Sequence, residues 1–259
     1  MRSYAWSNKQ ENMTKAREHT NMVDTQYANE VASVCSYIYG PNKDYNHTFT
    51  KNADMTIQVV PMDSVSALYK YHEGKTAVLN FASYRHPGGM FIEGSQAQEE
   101  CLCHESILYN VLRQYQSYYD WNEQHRNKSL YLDRAIYSED ILFLKKMMKP
   151  IKADVITCAC PNKRAAQKYA NVSNEENSKI LDERVHFILD IAAERGVETL
   201  IFGAFGCGVF GQDPYEVAAV FKKYLEQEYR CFKKVIFAVP QGMNDFNNLA
   251  FTKTFSKEE

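Results

Sequence analysis

The residues best suited to chemistry lie between Asn80 and Glu105, where an apolar run leads into a glycine turn and then into an acidic pair. The turn is Pro87-Gly88-Gly89, and glycine lets backbone N–H groups approach an anionic ligand because it carries no Cβ. Gln98-Glu99-Glu100 follows at the start of a helical pattern, so two carboxyl groups stand at the lip of the same loop. This pattern predicts a phosphate-bearing sugar bound beside an acid catalyst.

A second glycine-rich loop follows an apolar strand at residues 199–203 and precedes a helix with Pro214 near its start. The N-terminus of that helix adds a partial positive charge. Ligands bind beyond the carboxyl ends of strands in open α/β sheets, so the two loops are predicted to clamp a diphosphate. Each glycine cluster alone is equally compatible with a tight turn or with close packing of a strand against a helix. The second loop comprises Gly203, Ala204, Phe205, Gly206, Cys207, Gly208, Val209 and Phe210, and Gly211 closes it.

Two other phosphate-binding motifs do not fit this sequence. The chain contains no Gly-x-x-x-x-Gly-Lys-Ser/Thr, the pattern typical of nucleoside-triphosphatase P-loops. Gly206-x-Gly208-x-x-Gly211 formally matches the dinucleotide fingerprint, but neither Glu226 nor Glu228 ends a following strand, as the ribose-binding acid should. A nicotinamide site is therefore not expected.

Strand and helix patterns alternate through the second half of the chain, which favours a parallel or mixed sheet with helices on both faces. One continuous helix is expected from Glu99 to Tyr115, because apolar residues recur there at helical spacing. Residues 1–50 are predicted to form a helical N-terminal extension packed on a catalytic domain, residues 51–259. Strands are predicted at residues 57–60, 77–82, 154–160, 199–203 and 234–239.

Composition narrows the possible partners and compartment. The 259 residues include 30 basic and 32 acidic side chains without a basic stripe, so sequence-specific nucleic-acid binding is not expected. The polar N-terminus is unlike a secretory signal, and no apolar run reaches the roughly 20 residues that span a bilayer. Seven cysteines without a disulfide-like spacing favour a cytoplasmic location. Cys101-x-Cys103-His104 lacks a second ligand pair, so no metal is expected, and the sequence predicts no oligomeric state.

The two glycine blocks, residues 80–106 and 203–214, resemble the microbial-type poly(ADP-ribose) glycohydrolases, a branch of the macrodomain superfamily. The signature of that branch is three glycines, a spacer and Gln-Glu-Glu. Here Gly88-Gly89-Met90 precedes seven residues, 91–97, and then Gln98-Glu99-Glu100. The resemblance covers the whole chain and implies a three-layer α/β/α macrodomain-like mixed sheet. Met90 departs from the third glycine of the family pattern, which bears on substrate range.

The resemblance also implies a reaction and its residues. Glu100 would be the general acid and base, and Glu99 would orient ribose hydroxyls, in hydrolysis of ribose–ribose bonds that releases ADP-ribose without a cofactor. The ligand would be ADP-ribose or an ADP-ribosylated macromolecule. Two alternatives stay open: removal of a single ADP-ribose from a protein or nucleic-acid acceptor, and binding of ADP-ribose without cleavage. The implied ligand-binding residues are Asn80, Gly88, Gly89, Met90, Gln98, the eight residues 203–210 and Phe246.

Each singled-out residue also has a structural alternative. Glu99 and Glu100 fit the first turn of a helix, where carboxylates stabilise the helix dipole. Asn80 fits an Asx turn at a strand exit, Phe210 a core aromatic below the loop, and Phe246 a capping hydrophobe. The sequence alone leaves these alternatives open.

Overall fold

The computed structural model describes residues 2–41, 52, 54–242 and 246–256, and the side chains from residue 8 onward. Its centre is a seven-stranded sheet in the order β1-β4-β5-β3-β6-β7-β2. Strands β5, β3, β6, β7 and β2 run parallel, whereas β4 is antiparallel to both of its neighbours, so the sheet is mixed. The strands are β1 (Ser36–Tyr39), β2 (Thr56–Val60), β3 (Thr76–Phe81), β4 (Ala135–Phe143), β5 (Ile151–Cys158), β6 (Thr199–Phe202) and β7 (Lys234–Ala238).

Helices cover both faces of this sheet, because its central strands are apolar on both sides. Successive residues of β3 show the alternation: Leu79 packs into one core and Val78 into the other. The first core includes α8, α9 and α10, and the second includes α1, α3, α4 and α5. The helices are α1 (Arg2–Gln26), α2 (Ala28–Ser33), α3 (Ser64–Tyr71), α4 (Gln98–His104), α5 (Leu108–Leu112), α6 (Gln116–Gln124), α7 (Lys163–Ala170), α8 (Asn174–Glu194), α9 (Pro214–Gln227) and α10 (Phe246–Phe255).

The five predicted strands are confirmed, and two strands were not predicted, β1 and β4. The expectation of one helix from Glu99 to Tyr115 is wrong, because α4 ends at His104 and α5 begins at Leu108. Between them the backbone joins the unpredicted strand β4: Ser106 bridges Phe143, and Ile107 N–H donates to the Leu142 carbonyl at 3.1 Å. Pairing with a distant strand therefore overrides the local helical pattern.

The N-terminal helix α1 packs against the loop that carries the first glycine turn. Ala16 and Val23 are fully buried in the second core, and the Asn12 amide donates to the Gly94 carbonyl at 3.2 Å. A Cβ on Gly94 would lie 2.4 Å from the Lys9 carbonyl oxygen, so only glycine permits this contact. Strand β1, inside the predicted extension 1–50, pairs with β4. The boundary at 50/51 lies beside residues outside the described part and stays a prediction.

Candidate active site

Gln98 fastens the start of α4 to the end of β3. Its Nε2 donates to the Leu79 carbonyl at 2.8 Å and to Ser64 Oγ at 3.1 Å, and its Oε1 accepts from Phe81 N–H at 2.8 Å. The sequence predicts Gln98 as a ligand-binding residue. These three bonds occupy its amide on both sides, so the structure shows it holding the helix that carries the two acids.

Glu99 is buried between the end of β3 and the loop that follows. Its Oε1 accepts from Asn80 Nδ2 at 3.2 Å, and its Oε2 accepts from Ser83 N–H at 2.6 Å. Burial raises the pKa of Glu99 to about 8, although the amides of Ser83, Asn80 and Gly88 favour the charged form. At neutral pH the Glu99 carboxyl is therefore mostly protonated in the free protein.

Glu100 is 5% exposed and turns back toward the glycine turn. Its Oε1 accepts from Met90 N–H at 2.9 Å, and its Oε2 accepts from Ala97 N–H at 2.8 Å. Because Ala97 is the N-cap of α4, Glu100 also caps its own helix. The capping alternative from the sequence thus holds, but the other oxygen of the same carboxyl group faces the loop.

The glycine turn lies directly against both acids. Gly88 and Gly89 have φ values of +66° and +61°, which disfavour residues with a Cβ. A Cβ on Gly89 would lie 2.7 Å from Glu100 Oε1 and 2.9 Å from Glu99 Oε2. Those two oxygens are therefore at most 5.6 Å apart, since both lie that close to one point. Glycine at position 89 is what allows the two carboxyl groups to meet at the turn.

Asn80 and Met90 complete this half of the site. Asn80 is fully buried at the end of β3, and its Nδ2 lies within hydrogen-bonding distance of Glu99 and of Thr157 Oγ1. Its side chain bonds across strands, so the contacts are not those of an Asx turn. Met90 stands where the family signature has its third glycine, and its side chain is 46% exposed. The backbone of Met90 has no positive φ, which is why a side chain fits there without strain.

The second loop, residues 203–211, leaves β6 at the same edge of the sheet. A Cβ on Gly203 would lie 2.6 Å from the Ala238 carbonyl oxygen, and one on Gly206 would lie 2.3 Å from Cys160 Sγ. These two glycines therefore allow close packing of the loop on neighbouring strands. Gly208 has no heavy atom within 4 Å of its Cβ position, so its backbone is open to a ligand. The close-packing alternative therefore applies to Gly203 and Gly206, and Gly208 is the accessible position.

The other residues of this loop differ in exposure. Phe205 is fully buried and packs on Phe81, with ring centroids 5.6 Å apart, whereas Val209 is 71% exposed. Phe210 is half-buried, with its ring centroid 6.2 Å from that of Tyr131. Burial raises the pKa of the Cys207 thiol to about 12, so this cysteine is a weak nucleophile. Ala204 is partly buried against the first core.

Phe246 begins α10 and is 53% exposed, so it is not a core residue. Its ring lies edge-on to that of Tyr215, with centroids 5.7 Å apart. Tyr215 stands in the first turn of α9, whose N-cap is Asp213. The two rings thus form an exposed aromatic pair next to the helix that follows the second loop.

Ser83 and Thr157 are site residues that sequence reasoning missed. Ser83 contributes its backbone amide to Glu99, and Thr157 reaches Asn80 from the neighbouring strand β5. Any residue type could supply the first contact, so it leaves no sequence signal; the register of β3 and β5 brings Thr157 beside Asn80. Among the described residues, no group of three or more metal-ligating side chains could hold a metal ion. No described helix is long and apolar enough to cross a membrane.

Comparison with known proteins identifies the family. Residues 5–146 match the model of the microbial-type PARG catalytic domain, which is more than half of the chain. The chain belongs to this family. No curated protein sequence matches it significantly.

Solved bacterial PARG structures share the fold. The poly(ADP-ribose) glycohydrolase from Thermomonospora curvata, bound to the inhibitor ADP-HPD, is 28% identical and has a TM-score of 0.83. The match covers 95% of this chain and 100% of that one. The Deinococcus radiodurans enzyme in complex with ADP-ribose is 30% identical, with a TM-score of 0.78 over 88% of this chain and 96% of that one. The predicted three-layer macrodomain-like mixed sheet is confirmed for this PARG-family member.

Proposed function

We propose that this chain hydrolyses the O-glycosidic ribose–ribose bonds of poly(ADP-ribose) and releases ADP-ribose, with Glu100 as general acid and base. The observation that carries the proposal is the pair of buried carboxyl groups held against the glycine turn, at most 5.6 Å apart. Membership of the PARG catalytic-domain family supports the reaction. The relatives that bind ADP-HPD or ADP-ribose support the ligand.

The ligand would lie across the carboxyl edge of the sheet. The backbone of loop 203–211 would hold the pyrophosphate, with Gly208 as its most open position. The ribose at the scissile bond would lie at Gly89 and Met90, beside both acids, with Phe210 against it. Phe246 would contribute an aromatic face near the adenosine. Binding the pyrophosphate far from the bond that breaks orients the reacting ribose and lowers the entropic cost of reaction.

Glycosidic cleavage passes through an oxocarbenium-like transition state and needs a proton on the leaving oxygen. Protonated Glu100 would donate that proton as the C–O bond breaks. The resulting carboxylate would then take a proton from the attacking water, which restores the acid. Two backbone donors use only part of the lone-pair capacity of a carboxylate, so an oxygen of Glu100 can still engage the substrate.

Glu99 would act as a ribose-orienting group. Its mostly protonated state avoids two adjacent negative charges, and its O–H can donate to a ribose hydroxyl oxygen. Asn80 and Ser83 hold the carboxyl in place through its two oxygens. Met90 adds a partly exposed side chain beside Glu100, at the position of the third glycine in the signature that this sequence resembles. We infer that this side chain restricts which acceptors fit next to the scissile bond.

The test compares the wild type with Glu100→Gln and with Glu226→Gln, an exposed acid on α9 that serves as the matched control. Each protein is incubated with poly(ADP-ribose), with mono-ADP-ribosylated protein and with ADP-ribosylated DNA, and released ADP-ribose is quantified. Loss of general acid catalysis should slow polymer hydrolysis by about 10²- to 10⁴-fold in Glu100→Gln alone.

Other outcomes assign the protein to a different role. Release from a mono-modified acceptor, with intact polymer, would indicate a mono-ADP-ribosyl hydrolase. Tight ADP-ribose binding without turnover of any substrate would indicate a protein that binds ADP-ribose without cleavage. Unchanged polymer hydrolysis by Glu100→Gln would refute its role as the acid.

A further inference from the structure

The pyrophosphate of ADP-ribose carries two negative charges, and loop 203–211 contains no basic residue. Backbone N–H groups and the N-terminus of α9 supply only partial positive charges, which salt and water screen at an open loop. A cationic side chain beside the loop would therefore strengthen binding of the ligand considerably.

Arg164 is held against the end of this loop by two separate contacts. Its backbone N–H donates to the Phe210 carbonyl at 3.0 Å. A Cβ on Gly211 would lie 3.3 Å from Arg164 Cβ and 3.5 Å from Arg164 Nε, so the arginine side chain covers Gly211. Gly211 N–H in turn donates to the Gly208 carbonyl at 3.2 Å. Arg164 Nε thus lies against Gly211, three residues along the chain from Gly208, the most accessible glycine of the loop.

The positive charge of Arg164 is also free to interact with an anionic ligand. Arg164 is exposed, and within the ranges that the structure describes it forms no ion pair. Four other cations of the described structure differ from Arg164 in that each has an acidic partner. These pairs are Arg85 with Glu123 at 3.2 Å, Lys128 with Glu176 at 3.1 Å, Lys163 with Glu216 at 3.7 Å and Arg184 with Asp133 at 2.5 Å.

We propose that Arg164 is the cationic contact for the pyrophosphate of the bound ADP-ribose unit. The planar guanidinium can donate two parallel hydrogen bonds to phosphate oxygens. It also carries a full positive charge, whereas the backbone N–H groups of the loop carry only partial charges. This assignment rests on the proposed function, because it takes the pyrophosphate to lie on loop 203–211. Neither the glycine pattern nor the Gln-Glu-Glu triplet points to Arg164, which lies between them in the sequence.

The experiment measures the dissociation constant of ADP-ribose by calorimetry, at low and high NaCl, for the full chain. Arg164→Gln should weaken binding about 5- to 20-fold at low salt, a range below that of a buried charged hydrogen bond because the group is exposed. It should also flatten the salt dependence. Arg164→Lys should recover part of the affinity. Lys168→Gln, one turn further along α7, is the matched control and should bind as the wild type does.

The outcomes separate this assignment from the proposed function. If the wild type binds ADP-ribose and hydrolyses the polymer while Arg164→Gln binds equally well, only the role of Arg164 is refuted. A loss of affinity with unchanged salt dependence also refutes it, since a purely structural change would give that result. If the wild type neither binds ADP-ribose nor acts on the polymer, the proposed function fails and the assignment fails with it.

Discussion

Replacing Glu99 by glutamine should make the protein more resistant to unfolding at alkaline pH. Burial raises the pKa of Glu99 from 4.5 to about 8, so the folded state favours the protonated carboxyl. A raised carboxyl pKa means that the folded protein binds more protons than the unfolded chain between these two values. Stability is therefore full below pH 4.5 and is lost as the pH rises toward 8. Glutamine does not titrate, so the variant escapes this loss.

The size of the effect follows from the two pKa values. At pH 5 about three quarters of the unfolded carboxyl is ionised while the folded carboxyl stays protonated, and the penalty is on the order of 1 kcal/mol. At pH 8 the unfolded form is fully ionised while the folded form is half ionised, and the penalty is about 4 kcal/mol. The stability difference between Glu99→Gln and the wild type should thus grow by about 3 kcal/mol from pH 5 to pH 8.

The assay is urea unfolding of both proteins at pH 5, 6, 7 and 8, because subtracting the two curves cancels the other titrating groups. The new amide in Glu99→Gln should also add a stability difference that does not change with pH. Asn80 can accommodate this amide, because Asn80 Oδ1 has no partner among the described residues. Rotation of the Asn80 amide lets that oxygen accept a hydrogen bond from the new NH2 group. Glu226→Gln should track the wild type at every pH. A stability difference for Glu99→Gln that stays flat with pH would show that Glu99 ionises normally and would refute the burial argument.

Three further changes test the geometry. Gly89→Ala should lower the free energy of unfolding by about 2 kcal/mol or more and abolish most activity, because the φ of Gly89 is +61° and the new Cβ would displace both carboxyl groups. Gly208→Ala is the control: its Cβ would enter open space, so stability should change by less than about 0.5 kcal/mol. Gln98→Ala should lower the free energy of unfolding by about 2–4 kcal/mol through three lost hydrogen bonds, read by thermal and urea unfolding. Iodoacetamide at pH 8 should label the exposed Cys35 well before Cys207. Peptide mass spectrometry would measure the two labelling rates, and equal rates would contradict burial of the Cys207 thiol.

The sequence was sufficient for the strands that contain a run of apolar or β-branched residues, such as β3, and insufficient for β1 and β4. Strands such as β3 are buried on both faces and read as continuous apolar runs. In β4 the run is interrupted by Ser138-Glu139-Asp140, where the register with β5 shifts and Asp140 takes a φ of +56°. A bulge of this kind places polar residues inside a strand, and its position depends on the partner strand. The missed strand then caused the second error, the unbroken helix from Glu99 to Tyr115.

Gln98 shows a different limit of sequence reasoning. Glutamine beside two acids and a glycine turn fits a ligand contact and an internal clamp equally well. The distinction depends on the Leu79 carbonyl and the Phe81 amide, which come within reach only when β3 and α4 pack together. Residue type therefore predicted that position 98 belongs to the site, and tertiary structure decided that its amide faces the protein.

The two acids illustrate how one short motif yields two chemically different groups. Both carboxyls come from the first turn of α4, where local effects on neighbouring glutamates are similar. Their difference comes from distant residues: Asn80 and Ser83 enclose Glu99, whereas Glu100 receives the N–H groups of the loop itself. The donors Met90 and Ala97 lie at the two ends of segment 90–97, so a ligand bound at the site we propose would act directly on the hydrogen bonds of Glu100. The carboxyl group of Glu100 is thus both the cap of α4 and the proposed catalytic group. One of its oxygens binds the N-cap residue Ala97, and the other binds Met90 directly after the glycine turn.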